Sequence, residues 1–400
     1  MRSVLAAVVD RGLFGGIHRG FALFRRLRAG AAGALVRTGR GAVVVAVRRF
    51  FCRHRDCSPF VLVYSRGCAA ERAGGCGCRG DVVGRSAGAG PRLGAVTDIL
   101  GEQFVLDDGA VRVEVSALAA VLREVRVRGI RITETVDPSG LPPKGCGIVL
   151  SPWPNRVADA RWQLNGATQQ LDVTDVARGG AIHGLLRNTA YTLRERTDRS
   201  LTLAAMIHPQ HGWPLLLESW VTYALDGDGV AVTHGVRNHA DAPAPWAVGA
   251  HPYFRVGEVS TDELMLRVDA GVRLELDERL NPVAERDVIA GEFDLRGGRS
   301  LHGADLNVAY GRLANRDTRG TIARLEAPDG AATEVWADPE FGWLQVFTPA
   351  DFPGADGVGR AVALEPMSAP PNALNSGIDL IWLAPGETRE LTWGARHLPA

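Results

Sequence analysis

The sequence lacks any long uncharged apolar run and shows few signs of extended helices. No such run reaches the roughly 18 residues that a membrane-spanning helix needs, so we predict no membrane span. The 48 glycines and 22 prolines, with few apolar stripes of helical period, exclude a coiled-coil or long-helix protein. With 46% hydrophobic and 22% charged residues among 400, the chain as a whole has enough apolar surface to fold.

Cysteine and net charge are scarce overall but concentrated near the start of the chain. Five of the six cysteines lie within residues 52–78, which leaves Cys146 alone in the remainder. A body without paired cysteines fits a reducing cytosol, and we expect a cytoplasmic protein. The formal net charge of +0 conceals about +13 over residues 1–95, where 17 arginines face four acidic residues, and hence about −13 over the rest.

Residues 1–95 are rich in Arg, Gly and Ala, and no periodicity there lasts long enough to define a packed face. We predict a disordered extension, or translated sequence upstream of the true start. Asp10 interrupts the first apolar stretch, so no signal peptide is expected. Four residues separate the first pair of cysteines and one separates the last, unlike the paired CxxC spacing of a zinc ribbon, and no metal site is predicted.

From about residue 98 to residue 400 the pattern is typical of β-structure. Valines alternate with polar residues over 111–115, as in a half-buried strand. Segments 220–232 and 322–336 each contain two strand-like runs around an Asp-Gly turn, which predicts two hairpins. The number of strands without an evident linker predicts a single large all-β sandwich.

Four polar and aromatic segments interrupt these strands, at Ser151–Arg156, Ile182–Leu185, His251–Phe254 and Leu364–Met367. A sheet can bring such segments to one face, where one Arg, two His and one Glu among aromatic rings would suit a polyhydroxylated ring. Aromatic faces cover sugar C–H surface, while charged and amide groups bind hydroxyls. The body lacks the repeated cations of a nucleic-acid groove, so the predicted partner is a small-molecule monosaccharide, with no nucleic acid or membrane.

In order and separation these segments resemble the galactose mutarotase, or aldose 1-epimerase, family over about residues 98–400. The matching segments are Asn155–Arg156, Ile182–Gly184, Gly212–Pro214, Gly249–Phe254 and Leu364–Gly377. The resemblance implies that family's β-supersandwich fold, in agreement with the strand pattern. It also implies an isomerase that interconverts the α and β anomers of a free aldose such as glucose or galactose, with no cofactor or metal.

The resemblance also implies roles for individual residues. Opening and reclosing the hemiacetal at C1 requires two proton transfers, for which Glu and His are suited near neutrality. Glu365 matches the family's base and His251 its acid, which a nearby carboxylate would keep protonated. His183 matches a residue that binds the ring oxygen and helps to stabilise charge there.

Further residues are predicted to bind the sugar. Arg156 and Asn155 match hydroxyl-binding positions, with pairing of Arg156 to Asp159 or Asp172 as the alternative. Trp153 and Tyr253 are candidates for sugar contacts or for the core.

One position departs from the family pattern. Where the family usually has an Asp that binds sugar hydroxyls, this chain has Asn307. A neutral amide forms a hydrogen bond roughly half as strong as a carboxylate does, so we expect an altered substrate preference. Asp305, two residues upstream, could substitute if this segment is extended.

Two other functions remain open at this point. A hexose-6-phosphate 1-epimerase would need extra cations around the phosphate, for which Arg178 and Arg187 are the candidates. A catalytically silent sugar-binding protein would have no need of a matched acid and base. A glycosidase is disfavoured, because hydrolysis normally uses two carboxylates.

Overall fold

The computed structural model describes residues 34–38, 41–45, 98–314 and 317–400. The chain divides into two units, Met1–Gly90 and Pro91–Ala400. In the first unit the structure describes the backbone of an antiparallel hairpin formed by β1 (Ala34–Thr38) and β2 (Gly41–Val45). The rest of the segment predicted to be disordered, with its five cysteines, lies outside the described residues.

Strands make up most of the second unit. They are β3 (Gln103–Asp107), β4 (Val111–Ser116), β5 (Leu122–Val127), β6 (Ile130–Arg131), β7 (Val149–Leu150), β8 (Arg156–Val157), β9 (Arg161–Leu164), β10 (Ala167–Gln170), β11 (Ala181–Ile182), β12 (Thr192–Arg196), β13 (Ser200–Ile207), β14 (Leu217–Asp226), β15 (Gly229–Asn238), β16 (Ala244–Trp246), β17 (Gly249–Ala250), β18 (Tyr253–Phe254), β19 (Met265–Arg267), β20 (Ala270–Leu276), β21 (Pro282–Asp287), β22 (Arg299–Ser300), β23 (Asn307–Leu313), β24 (Gly320–Glu326), β25 (Ala332–Ala337), β26 (Trp343–Phe347), β27 (Phe352–Gly354), β28 (Gly357–Gly359), β29 (Val362–Met367), β30 (Ile381–Leu383) and β31 (Thr388–Leu398). Helical structure in the described residues is confined to α1 (Ala373–Ser376) and 3-10 turns at Pro143–Gly145, Ala158–Ala160 and Thr261–Glu263. The all-β prediction is confirmed.

Two large antiparallel sheets form the sandwich. One has nine strands in the order β12-β13-β14-β15-β31-β25-β24-β19-β22. The other has eight strands, with the path β21-β20-β23-β26-β29-β17-β7 and β18 paired to β29. Buried residues of both sheets, such as Val232 and Trp393 from the first and Leu344 and Val346 from the second, belong to one hydrophobic core. The two sheets therefore pack face to face.

Both predicted hairpins are confirmed. Strands β14 and β15 pair from Leu217↔Asn238 to Asp226↔Gly229, which leaves only Gly227 and Asp228 in the turn. Strands β24 and β25 pair around the second Asp-Gly turn. Tight turns of this kind need residues that tolerate a positive φ, and Gly227 has φ 51°.

Alternation along the eight-stranded sheet separates the core from the opposite face. Side chains of consecutive strand residues point to opposite sides, so Val346 and Leu364 enter the core while Gln345 and Glu365 point away from it. Gln345 and Glu365 are direct partners across β26 and β29. Buried polar side chains are thereby placed on the far face of this sheet.

Among the described residues, no helix is long and apolar enough to cross a membrane.

Candidate active site

A cavity of about 550 Å³ lies on the face of the eight-stranded sheet that points away from the core. The sheet contributes Asn307, Gln345 and Glu365 to its wall, and the loops contribute Asn155, His183 and His251. Its volume is within the usual range for a small-molecule site. The structure therefore brings together most of the predicted site residues from five distant segments.

His251 and Glu365 form the centre of this wall. The distance from His251 Nε2 to Glu365 Oε1 is 3.4 Å, and both side chains are at most 5% exposed. The His251 ring stacks on Tyr253, with ring centroids 5.4 Å apart and planes at 21°, and meets the His183 ring edge-on at 5.2 Å. Its backbone N–H donates to the carbonyl of Ile148. The imidazole is thus held in one plane beside the carboxyl.

Burial determines the protonation of this pair. It raises the pKa of Glu365 to about 8, although the charge of Arg156 acts in the opposite direction. It lowers the pKa of His251 to about 4. Between these values the pair holds one proton, and that proton sits on the carboxyl. We expected a neighbouring carboxylate to keep His251 protonated, but burial also protonates Glu365, so near neutral pH no carboxylate charge offsets the desolvation of the imidazole.

His183 is neutral for a related reason. Burial, followed by the charges of His251, Arg156 and Arg187, lowers its pKa well below the ordinary value. Ten buried polar atoms of the described residues have no hydrogen-bond partner, and three of them, His183 Nδ1, His251 Nδ1 and Glu365 Oε2, belong to residues that line the cavity. Buried polar atoms are normally paired, so unpaired ones on a cavity wall mark where a ligand would bind.

The loops that carry Asn155 and His183 adopt an uncommon backbone conformation. Asn155 has φ 53° and His183 has φ 62°, and the N–H of His183 donates to the carbonyl of Asn155 at 2.9 Å. Asn tolerates the left-handed region, whereas His adopts it at some energetic cost. At the adjoining Gly184, with φ 74°, a Cβ would lie 2.1 Å from the carbonyl oxygen of Ser151. The glycine allows the close approach that places His183 at the cavity.

A chain of amides crosses the floor of the cavity. Asn155 Nδ2 donates to Gln345 Oε1 at 3.3 Å, and Gln345 Nε2 donates to Asn307 Oδ1 at 2.8 Å. Gln345 is 2% exposed and was missed by the sequence analysis, because only the strand register places it between the two asparagines. Asp305, which was expected as a possible substitute for Asn307, is exposed and does not line the cavity.

Arg156 lines the cavity and is held by an aspartate. Its Nε donates to Asp175 Oδ2 at 2.8 Å, and both side chains are about 12% exposed or less. The alternative partners expected from the sequence, Asp159 and Asp172, are wrong: Arg156 pairs with Asp175, whereas Asp159 pairs with Arg279 and Asp172 with His211. The Arg156–Asp175 ion pair orients the guanidinium within the cavity wall. Sugar binding by Arg156 stays a prediction.

Trp153 and Tyr253 lie behind the cavity wall. Trp153 is 2% exposed and packs against Trp213, with ring centroids 5.9 Å apart. Tyr253 is fully buried beneath His251. Neither lines the cavity, so their predicted contact with substrate has no support from their positions. Tyr253 instead positions the His251 ring.

Comparisons with known proteins agree with this geometry. A sequence model of the family described as aldose 1-epimerase matches residues 102–394. The uncharacterized protein YihR of Escherichia coli K12 is 30% identical over 292 residues, which are 73% of this chain and 92% of YihR. Human galactose mutarotase is 30% identical over 159 residues, 38% of this chain and 45% of that enzyme. The crystal structure of a GalM/aldose epimerase homologue from C. elegans shares the fold, with a TM-score of 0.65, 16% identity, and coverage of 74% of this chain and 99% of that one.

Proposed function

The chain belongs to the aldose 1-epimerase family, and from this premise we propose that it is a mutarotase that interconverts the α and β anomers of an aldose. The observation that carries the proposal is the buried His251–Glu365 pair on the wall of a sugar-sized cavity. Glucose and galactose, the free aldoses expected from the sequence, are its simplest test substrates.

The reaction needs one base and one acid at the same time, and this pair supplies both. Transfer of the single proton from Glu365 to His251 produces a carboxylate and an imidazolium 3.4 Å apart. A sugar hydroxyl that donates a hydrogen bond to Glu365 favours this ionised form. The carboxylate is then the base for the C1 hydroxyl, and the imidazolium is the acid for the ring oxygen.

Ring opening follows from these two transfers. Glu365 takes the proton of the C1 hydroxyl, the C1–O5 bond breaks to leave an aldehyde, and His251 donates a proton to O5. After rotation about C1–C2 the two residues exchange roles, and closure on the other face of the aldehyde gives the second anomer. The open-chain stage leaves Glu365 protonated and His251 neutral, which is the form that burial favours. Because side chains supply both proton transfers, we propose that no cofactor is required. The cytoplasmic location expected from the cysteine content stays a prediction.

Polarimetry tests this function directly. Freshly dissolved α-D-glucose and α-D-galactose are followed with the full chain, with Glu365→Gln, and with Glu278→Gln as a matched control at an exposed carboxyl. We expect acceleration above the spontaneous rate, a loss of about 10²- to 10⁴-fold in Glu365→Gln, and no loss in the control. Binding of aldoses without any acceleration, measured by calorimetry, would favour the silent sugar-binding alternative and contradict the proposal.

A further inference from the structure

The cavity is rich in cations although the rest of the body is acidic. Lys144, Arg156, Arg178 and Arg187 all line it. Lys144 is the only lysine of the chain, and the residues beyond 95 carry about −13 in total. Four cationic side chains around one cavity of such a chain are therefore a local feature rather than a reflection of composition.

Acidic partners compensate only part of this charge. Arg156 and Arg178 lie 2.8 and 3.6 Å from the same carboxylate oxygen of Asp175, so one acid serves two guanidiniums. Lys144 pairs at 2.9 Å with Asp351, which is 76% exposed. The remaining acid on the wall, Glu365, is protonated near neutral pH because burial raises its pKa to about 8.

Arg187 has no acidic partner among the described residues. Its Nη1 donates a long hydrogen bond to the carbonyl of Ile182 at 3.5 Å. The side chain is half-buried on the cavity wall, so its charge is directed at whatever occupies the cavity. A guanidinium in such a position is suited to two parallel hydrogen bonds with a phosphate, sulfate or carboxylate.

The position of Arg187 indicates where on the sugar such a group would be. Arg187 lies beside His183, because its Nη1 donates to the carbonyl of Ile182, the residue that precedes His183. The rings of His183 and His251 are 5.2 Å apart. If Glu365 takes the C1 proton and His251 serves the ring oxygen, the sugar carbon beyond that oxygen lies toward His183 and Arg187.

We infer that the substrate carries an anionic group on the exocyclic carbon next to its ring oxygen, C6 of an aldohexose, and that Arg187 binds this group. The inference rests on the proposed function and restricts the preferred substrates to aldoses that carry a negative charge. Asn307 agrees with it, because an amide there spares the cavity one further negative charge.

The test compares sugars that differ at C6. Anomer exchange of glucose, glucose 6-phosphate, glucose 6-sulfate and glucuronate is measured at constant ionic strength with the full chain. The three anionic sugars carry, in that order, a tetrahedral dianion, a tetrahedral monoanion and a planar carboxylate, so the comparison shows which anion the cavity prefers. The variants are Arg187→Gln, Arg187→Lys and the control Arg389→Gln, whose exposed side chain lies outside the cavity.

We expect at least one anionic sugar to exceed glucose in kcat/KM by about tenfold or more. Arg187→Gln should reduce that ratio about 10- to 100-fold, as loss of a charge-assisted hydrogen bond does. Arg187→Lys, which keeps the charge, should retain most of the ratio, and the control should retain all of it. A wild-type preference for glucose, or a ratio unaffected by Arg187→Gln in a folded variant, would overturn the inference.

Calorimetry separates failure of this inference from failure of the proposed function. Because the anomers are already at equilibrium, binding of each sugar to the wild-type protein can be measured without net reaction. Tighter binding of an anionic sugar that depends on Arg187 supports the anion site even if no sugar is turned over. Equal binding of glucose and all three anionic sugars contradicts the site even if mutarotation is observed.

Discussion

Replacing Glu365 by Gln is expected to stabilise the fold increasingly as the pH rises. Burial raises the pKa of this carboxyl from 4.5 to about 8. Over that interval the folded protein keeps the proton and the unfolded chain loses it, so the free energy of unfolding falls by about 1.4 kcal/mol per pH unit. The stability that protonated Glu365 contributes is fully present below pH 4.5 and is lost as the pH approaches 8. Between pH 5 and 7 the free energy of unfolding of the wild type therefore falls by about 2 to 3 kcal/mol. The Glu365→Gln variant does not show this fall, because Gln has no proton to lose.

Urea unfolding at pH 5 and pH 7 measures this difference. Wild type, Glu365→Gln and the exposed-site control Glu278→Gln are compared at both pH values. Differences in shape and hydrogen bonding between Gln and the protonated carboxyl are the same at both pH values and cancel. Only the titration remains in the change of ΔΔG with pH.

The refuting result is equally clear. If the stability difference between Glu365→Gln and wild type is the same at pH 5 and pH 7, the carboxyl does not retain its proton in the folded protein. The one-proton state of the His251–Glu365 pair would then be wrong. A pH-dependent gain of similar size in Glu278→Gln would instead show that the effect comes from overall charge.

Two further predictions concern groups that support the site. Gln345→Leu removes the link between the site amides and leaves the side chain of Asn307 without its partner Gln345. We therefore expect the free energy of unfolding in urea to fall by about 1 to 3 kcal/mol and KM in polarimetry to rise. An unchanged KM would argue against a role for the amide chain in binding. Gly145→Ala should lower kcat/KM, because Gly145 has φ 76° and its Cβ would lie 3.3 Å from Cδ1 of Ile148, whose carbonyl accepts the backbone N–H of His251. Gly386→Ala has the same strain, with φ 77°, but no atom within 4 Å, so an equal loss there would exclude a shift of Ile148 and His251 as the cause.

The fold was predictable because its signals are local. Valines alternate over 111–115, and β4 (Val111–Ser116) has the corresponding alternation of buried and half-buried residues. The Asp-Gly turns set the register of β14 with β15 and of β24 with β25. Period-two alternation and turn chemistry act over a few neighbouring residues, so they can be recognised without knowledge of tertiary contacts.

The site was predictable only in part, because some of its members are defined by strand register. His251, Glu365, His183 and Asn155 stand in recognisable segments of the resemblance. Gln345 stands in none, and becomes a site residue only because β26 lies between β23 and β29. Trp153 illustrates the converse case: its place in a site segment left both a sugar contact and the core open, and the structure places it in the core behind the wall.

Substrate class is the property that sequence patterns describe least well in this protein. The acid–base pair acts on the hemiacetal that every free aldose shares, so His251 and Glu365 carry no information about the rest of the sugar. That information lies in the charge balance of the rest of the cavity lining, where Arg187 has no acidic partner among the described residues and Asn307 replaces the usual Asp. The net charge of +0 over the whole chain and the acidic body both obscure this balance. Only folding brings the cations of four separate segments to one cavity, and specificity therefore has to be inferred from the folded structure.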